Sequence, residues 1–162
     1  ILASPGAEVP KLAVEGDVAP ALDLAQERLY RAVAKLPQEP VNRTEMLMLT
    51  GGGKDYRWGL NGEADPASPL FNVRQGERYA VMMHNMTGMA HPMHLHGHYF
   101  KVMAIGNTVV DGAIRDVVLV PPMEAVTVVF DADNPGSWPF HCHHAYHMNS
   151  GMMGSIGYTS AA

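Results

Sequence analysis

Eight of the nine histidines and the single cysteine of this 162-residue chain fall in two short segments. The first is His91-Pro92-Met93-His94-Leu95-His96-Gly97-His98. The second is His141-Cys142-His143-His144-Ala145-Tyr146-His147-Met148, with Gly151-Met152 close behind. Neutral imidazole is the commonest metal-ligand side chain, and a thiolate beside it adds a soft donor. Imidazoles that are merely hydrogen-bonded in a core do not concentrate in this way. A lone cysteine is otherwise most simply a small buried hydrophobe. The two flanking histidines argue for a ligand instead.

If these segments are strands, alternation decides what each residue can do, because successive side chains point to opposite faces. His141 and His143 then share one face and Cys142 takes the other, so one segment serves two metal sites. His94 and His96 also share a face. Pro92 holds His91 extended or in a turn, which frees His91 to serve a different site from His94. A cysteine thiolate, two imidazoles and a long axial thioether make the blue-copper electron-transfer site. His147 lies five residues after Cys142 and Met152 ten after, so one ligand loop plus His91 completes the set. The other face gathers His94, His96, His141 and His143, with no thiolate or carboxylate. That set suits copper, and zinc remains open by ligand type alone. Cys142 joins the two sites through one peptide unit on either side, a short covalent route for electrons.

Something must hold these segments in register. After residue 41 the chain reads as short apolar runs: Glu45–Thr50, Tyr56–Leu60, Leu70–Arg74, Arg78–Asn85, His91–His96, Tyr99–Ile105, Asp116–Val120, Ala125–Asp131, Trp138–His143 and Met153–Tyr158. Turn residues punctuate them, among them Gly51-Gly52-Gly53, Asn61-Gly62, Gln75-Gly76, Asp111-Gly112 and Asn134-Pro135-Gly136. This spacing predicts an antiparallel sandwich or barrel. Before it, residues 1–19 read as an extended arm. Leu22, Ala25, Leu29, Val33 and Leu36 recur at helical spacing between Pro20 and Pro37, predicting a packing helix. Gln38 to Val41 is a linker.

Composition bounds the rest. Apolar residues are 47% and charged residues 17% of the chain, as in a globular domain. No apolar run has the length of a membrane helix. The net charge of −5, with scattered basic residues, argues against nucleic acid and against anionic membrane surfaces. One cysteine excludes an internal disulfide. Ten of the twelve methionines lie between Met82 and Met153. They read as adaptable core filler, with soft thioether ligation of Cu(I) as the sharper alternative. The chain starts at Ile1 rather than Met, so a signal peptide is not expected to be visible in it.

The segments His91–His98 and Asn134–Met152 resemble the two C-terminal signatures of the multicopper oxidases, the family of laccases, ascorbate oxidase and copper-resistance oxidases. Asp133 through Phe140 fits the same pattern, as do Arg115-Asp116-Val117 and Val120-Pro121-Pro122. The resemblance covers roughly residues 42–160 and implies the last cupredoxin domain of a three-domain enzyme, a Greek-key β-sandwich or barrel. The expected division is an arm, helix and linker at 1–41 and a plastocyanin-like copper domain at 42–162. The resemblance makes His91, Cys142, His147 and Met152 the type 1 copper ligands. It makes His94 a type 2 ligand and His96, His141 and His143 type 3 ligands, with His141, Cys142 and His143 relaying electrons. It implies oxidation of a small reductant, a phenol or a metal ion, coupled to reduction of O2 to water, in the periplasm or outside the cell. The methionines and Tyr146-His147-Met148 look most like the bacterial copper-resistance branch. His98 and His144 are expected to support the ligands or bond locally, and His84 to be a strand residue without a metal role.

Two departures from the family pattern matter. The trinuclear cluster needs eight imidazoles, and no His-x-His pair precedes His94 to supply the other four. Met148 stands where many relatives carry an acid, so the proton donor is missing there; Asp116 is a candidate substitute. Three arrangements follow: the C-terminal piece of a larger oxidase, completed by N-terminal cupredoxin domains; a stand-alone blue-copper carrier; or copies that pair their half-sites about a two-fold axis.

Overall fold

The computed structural model describes residues 4–8, 24–34, 39–62 and 68–159. Among these residues, twelve strands form two sheets. They are β1 (Arg43–Gly52), β2 (Arg57–Leu60), β3 (Phe71–Arg74), β4 (Arg78–Asn85), β5 (His91–Leu95), β6 (Phe100–Ile105), β7 (Thr108–Val109), β8 (Ile114–Arg115), β9 (Val117–Val120), β10 (Ala125–Asp131), β11 (Ser137–Cys142) and β12 (Met153–Thr159). One sheet runs β2-β1-β4-β10-β6-β7, with β8 also paired to β6, and the other runs β3-β12-β11-β5-β9. The chain changes sheet repeatedly, so sequence neighbours such as β4 and β5 face each other across the core.

Alternation along the strands builds that core. Leu47 and Leu49 of β1, Tyr79, Val81 and Met83 of β4, Val126, Val128 and Phe130 of β10 and Phe100, Val102 and Ile105 of β6 are buried on one side. Met93 and Leu95 of β5, Val118 and Val120 of β9, Phe140 and Cys142 of β11 and Ile156 of β12 meet them from the other. β5, on the sheet interior, reads buried and half-buried in strict turn, as a period of two requires. Arg78 is buried, 5% exposed. It grips Asp131, its cross-strand partner, through Nε at 2.6 Å and a second nitrogen at 2.8 Å. Met83 of β4 and Met93 of β5 are buried in the core and fill space, while Met46, Met86, Met89, Met123 and Met153 are exposed.

Ten expected strands are present, with ends shifted by no more than two residues. The short β7 and β8 lack enough residues to show alternation. The expected helix over Pro20–Leu36 is corrected. Of its described part, residues 24–34, only Glu27–Leu29 is helical, as a single 3-10 turn, and Tyr30 is extended at ψ 146°. Leu29 and Val33 are exposed, so the apolar stripe has no surface to pack on, and a short helix without tertiary packing is marginal. Leu24 is the buried residue, and Glu27 reaches Arg115 of β8 at 3.1 Å. The rest of that helix, and the arm except residues 4–8, lie outside the described residues. One helix was not expected: α1 (Ala145–Asn149) occupies the loop leaving β11.

Candidate metal centres

β5 and β11 pair antiparallel with His141 opposite His94 and Cys142 opposite Met93. This register places the two histidine clusters on opposite faces of one strand pair. Inward, His91 Nδ1 and His147 Nδ1 lie 3.8 and 3.7 Å from Cys142 Sγ and 3.0 Å from each other. Bond lengths of about 2.0 Å to nitrogen and 2.3 Å to sulfur put nitrogen and sulfur roughly 3.7 Å apart, and two nitrogens roughly 3.5 Å apart, in a trigonal set. The spacing therefore fits three ligands on one small ion. All three residues are buried. Met152 is fully buried beside them: its N–H donates to His147 O at 3.0 Å and its carbonyl accepts from Cys142 N at 3.1 Å. α1 supplies His147, lifting it back over Cys142.

Burial governs the titration of this group. Desolvation, with the nearby charges of His147 and His144, pushes His91 down to about 4. Desolvation also lowers His147 and raises the Cys142 thiol. The imidazoles are thus neutral at pH 7, whereas the thiol must lose its proton to a metal.

Outward, His96 Nε2 and His141 Nε2 approach to 2.9 Å, and His94 completes a group of three. His94 Nδ1 contacts Asp116 O at 2.8 Å and His141 Nδ1 contacts Cys142 O at 3.0 Å. A carbonyl only accepts, so both Nδ1 atoms carry protons and both Nε2 atoms are free to ligate. His143 is exposed at the rim, its ring 5.6 Å from His94 and 6.2 Å from His141. Burial and its three histidine neighbours lower His96. The set is half-open to solvent, in contrast to the closed inner one.

The structure places the weaker candidates too. His98 is buried: its Nδ1 meets His96 O at 3.1 Å and its Nε2 meets Tyr158 Oη at 2.7 Å. It braces the chain just after β5. Gly97, before it, has φ +70°, and a Cβ there would stand 2.3 Å from the Trp138 ring. His144 stacks on His147 at 4.0 Å between centroids. His84 is a half-buried β4 residue opposite Met48 and Ala125 and joins neither group.

Sequence reasoning missed Trp58. Its indole lies 4.2 Å from the His147 ring and 5.1 Å from that of His91, opposite no motif signal. Beside it opens a cleft of about 450 Å3 lined by Asp55, Tyr56, Arg57, Trp58, Asn149, Ser150 and Gly151. Gly151, at φ +116°, lets the chain pass: a Cβ would fall 2.2 Å from Trp58 O.

The profile of the family described as multicopper oxidase matches residues 38–161. The chain is 40% identical over 117 residues to multicopper oxidase MmcO of Mycobacterium tuberculosis, covering 71% of this chain and 23% of that protein. It is 36% identical over 121 residues to copper resistance protein A of Escherichia coli, covering 74% and 19%. The McoA multicopper oxidase from Aquifex aeolicus superposes with a TM-score of 0.64 at 29% identity, over 75% of this chain and 31% of that one. The chain thus spans about a fifth of the length of the curated relatives it matches.

Proposed function

The chain belongs to the multicopper oxidase family, its fold is cupredoxin-like, and from that membership and the two clusters we propose that it is the electron-accepting domain of a laccase-like oxidase. In this reading residues 42–162 form the cupredoxin domain. His91, Cys142, His147 and Met152 hold type 1 copper, His94 holds type 2 copper, and His96, His141 and His143 hold type 3 copper. Copper bound there supplies one-electron oxidation of a reductant and, at the multinuclear set, four-electron reduction of O2 to water.

The residues of the chain set the terms of that chemistry. Cys142, between His141 and His143, faces the inner group while its neighbours face the outer one. That single observation carries the reading, because it couples two sites through adjacent peptide units. Burial keeps His91 and His147 neutral and excludes water from the inner group. The cleft at Tyr56 and Trp58 borders His147, where a small phenol or a metal ion could give up an electron. Half of the eight imidazoles are present, so the other four come from further cupredoxin domains or from another copy of the chain. The relatives' greater length favours the first source. Among the described residues no helix is long and apolar enough to cross a membrane, and a periplasmic or secreted location is part of the proposal.

The alternative is a blue-copper carrier without oxidase activity, favoured by the exposed His143 and the incomplete outer set. Copper content and the visible spectrum decide. One tight copper per chain with an intense blue band, and no oxygen uptake with a phenol donor, indicates that this domain works only with a completing partner. About 2.5 coppers per chain with oxygen uptake indicates a two-fold assembly sharing three ions. Absence of a blue band at full loading refutes the type 1 assignment.

A further inference from the structure

Two residues that belong to neither cluster touch the inner one from behind. Asn85 ends β4 and is fully buried; Thr87 follows it and is 4% exposed. Thr87 Oγ1 lies 2.7 Å from His91 Nε2, the ring nitrogen that faces away from Cys142.

The proton positions in this chain follow from counting donors. Asn85 Nδ2 sits against three carbonyl oxygens, of Met89 at 2.7 Å, Pro121 at 2.9 Å and Val120 at 3.2 Å. Carbonyls only accept, so the amide nitrogen must be on that side and Oδ1 on the other. Oδ1 then receives the Thr87 N–H at 2.9 Å and stands 2.8 Å from Thr87 Oγ1. The hydroxyl has one proton. The oxygens within its reach, Asn85 Oδ1 and Met89 O at 3.1 Å, are both acceptors. The 2.8 Å contact with Asn85 Oδ1 needs that proton, because the amide oxygen has none to give; Thr87 Oγ1, which also receives the Met89 N–H at 3.3 Å, is then an acceptor toward His91, and His91 donates from Nε2. Its Nδ1 therefore carries a lone pair aimed at Cys142 and His147.

We infer that Asn85 and Thr87 are positioning residues that fix the tautomer and orientation of His91 before any metal arrives. The inference rests on the type 1 reading for its consequence in copper chemistry, but the tautomer itself needs no copper. It also assigns a proton to His147. In the metal-free protein the 3.0 Å Nδ1 to Nδ1 contact joins a lone pair on His91 to a proton on His147. His147 Nε2 is buried with no hydrogen-bond partner among the described residues. The two imidazoles are thus unequal: His91 is locked ready to ligate, and His147 must move its proton from Nδ1 to Nε2 when a metal binds.

Nitrogen-15 NMR of histidine-labelled, metal-free protein reads this directly. The expected pattern is protonated Nε2 for His91 and protonated Nδ1 for His147; protonated Nδ1 on His91 overturns the inference. In the copper-loaded protein Thr87→Val removes the acceptor while keeping the shape. Loss of such an outer-shell partner lowers metal affinity about 10–100-fold. The reduction potential rises, because His91 becomes a poorer donor, and Thr87→Ser restores both values. A Thr87→Val protein with native circular dichroism and unaltered affinity, potential and His91 tautomer refutes the role. If Thr87→Val fails to fold, the wild-type NMR pattern alone still decides. A blue band that survives Cys142→Ser would sink the type 1 reading while leaving the tautomer result standing, so the two failures are distinguishable.

Discussion

Acidification of the metal-free protein should expose the cost of burying His91 without a charge. Its pKa is about 4 in the folded state, against about 6.5 for an unperturbed histidine. The unfolded chain therefore binds more protons between those values, and stability rises with pH across that window. The full difference is about 2.5 units, worth about 3 kcal/mol at 1.36 kcal/mol per unit. Stability from this group is complete above pH 6.5 and is lost as pH falls toward 4; at pH 5 roughly 2 kcal/mol of it is gone. The lowered His147, His96 and His98 titrate in the same sense, so the total slope is a sum. Urea melts of the metal-free protein at pH 7.5, 6, 5 and 4.5, beside those of His91→Gln, isolate the His91 share. The substitution should flatten the pH dependence by about 2 kcal/mol between pH 7.5 and 5. Parallel pH profiles for the two proteins would mean that His91 accepts a proton in the folded state without penalty, and would refute the argument from its burial.

Cys142→Ser should abolish the blue band and leave the domain folded, at about 1–3 kcal/mol for the buried hydroxyl; a retained band in the visible spectrum contradicts thiolate ligation. Met152→Leu conserves volume, costs under about 1.5 kcal/mol and should raise the type 1 potential by removing a weak donor; redox titration giving an unchanged potential means Met152 is not axial. His94→Ala should keep the blue colour and eliminate oxygen uptake in the assembled enzyme, as an oxygen electrode would show; retained uptake removes His94 from the cluster. Asp131→Ala leaves the buried Arg78 guanidinium without its paired oxygens and should cost about 3 kcal/mol in a denaturant melt; a loss below about 0.5 kcal/mol would show that Arg78 finds other partners.

Much of the architecture was legible because its carriers are local. Alternation separates Cys142 from His141 and His143 and sets His94 and His96 on one face, and Pro92 sets His91 apart from His94. Glycine and proline turns marked most strand ends. The failures are nonlocal. The stripe through Leu29 and Val33 has helical spacing, yet helices of that length depend on a packing surface that the sequence does not display. α1 is five residues long, too short for periodicity to register. Trp58, Asn85 and Thr87 act through contacts with residues 33 or more positions away, or through a side-chain hydrogen bond, and no spacing rule announces them.

The pairing of His141 with His94 and of Cys142 with Met93 has a consequence for which changes of length this domain can tolerate. Inserting or deleting one residue within β5 or β11 turns every following side chain over. That would drive histidines into the apolar interior and carry Cys142 outside, destroying both groups in a single step. The stretch from His144 to Gly151 obeys no such rule, because it returns to the sheet through α1 and a glycine turn. Natural variation and grafting should therefore accumulate in that stretch, where they retune the inner site alone, while the strand pair admits substitutions but no change of length.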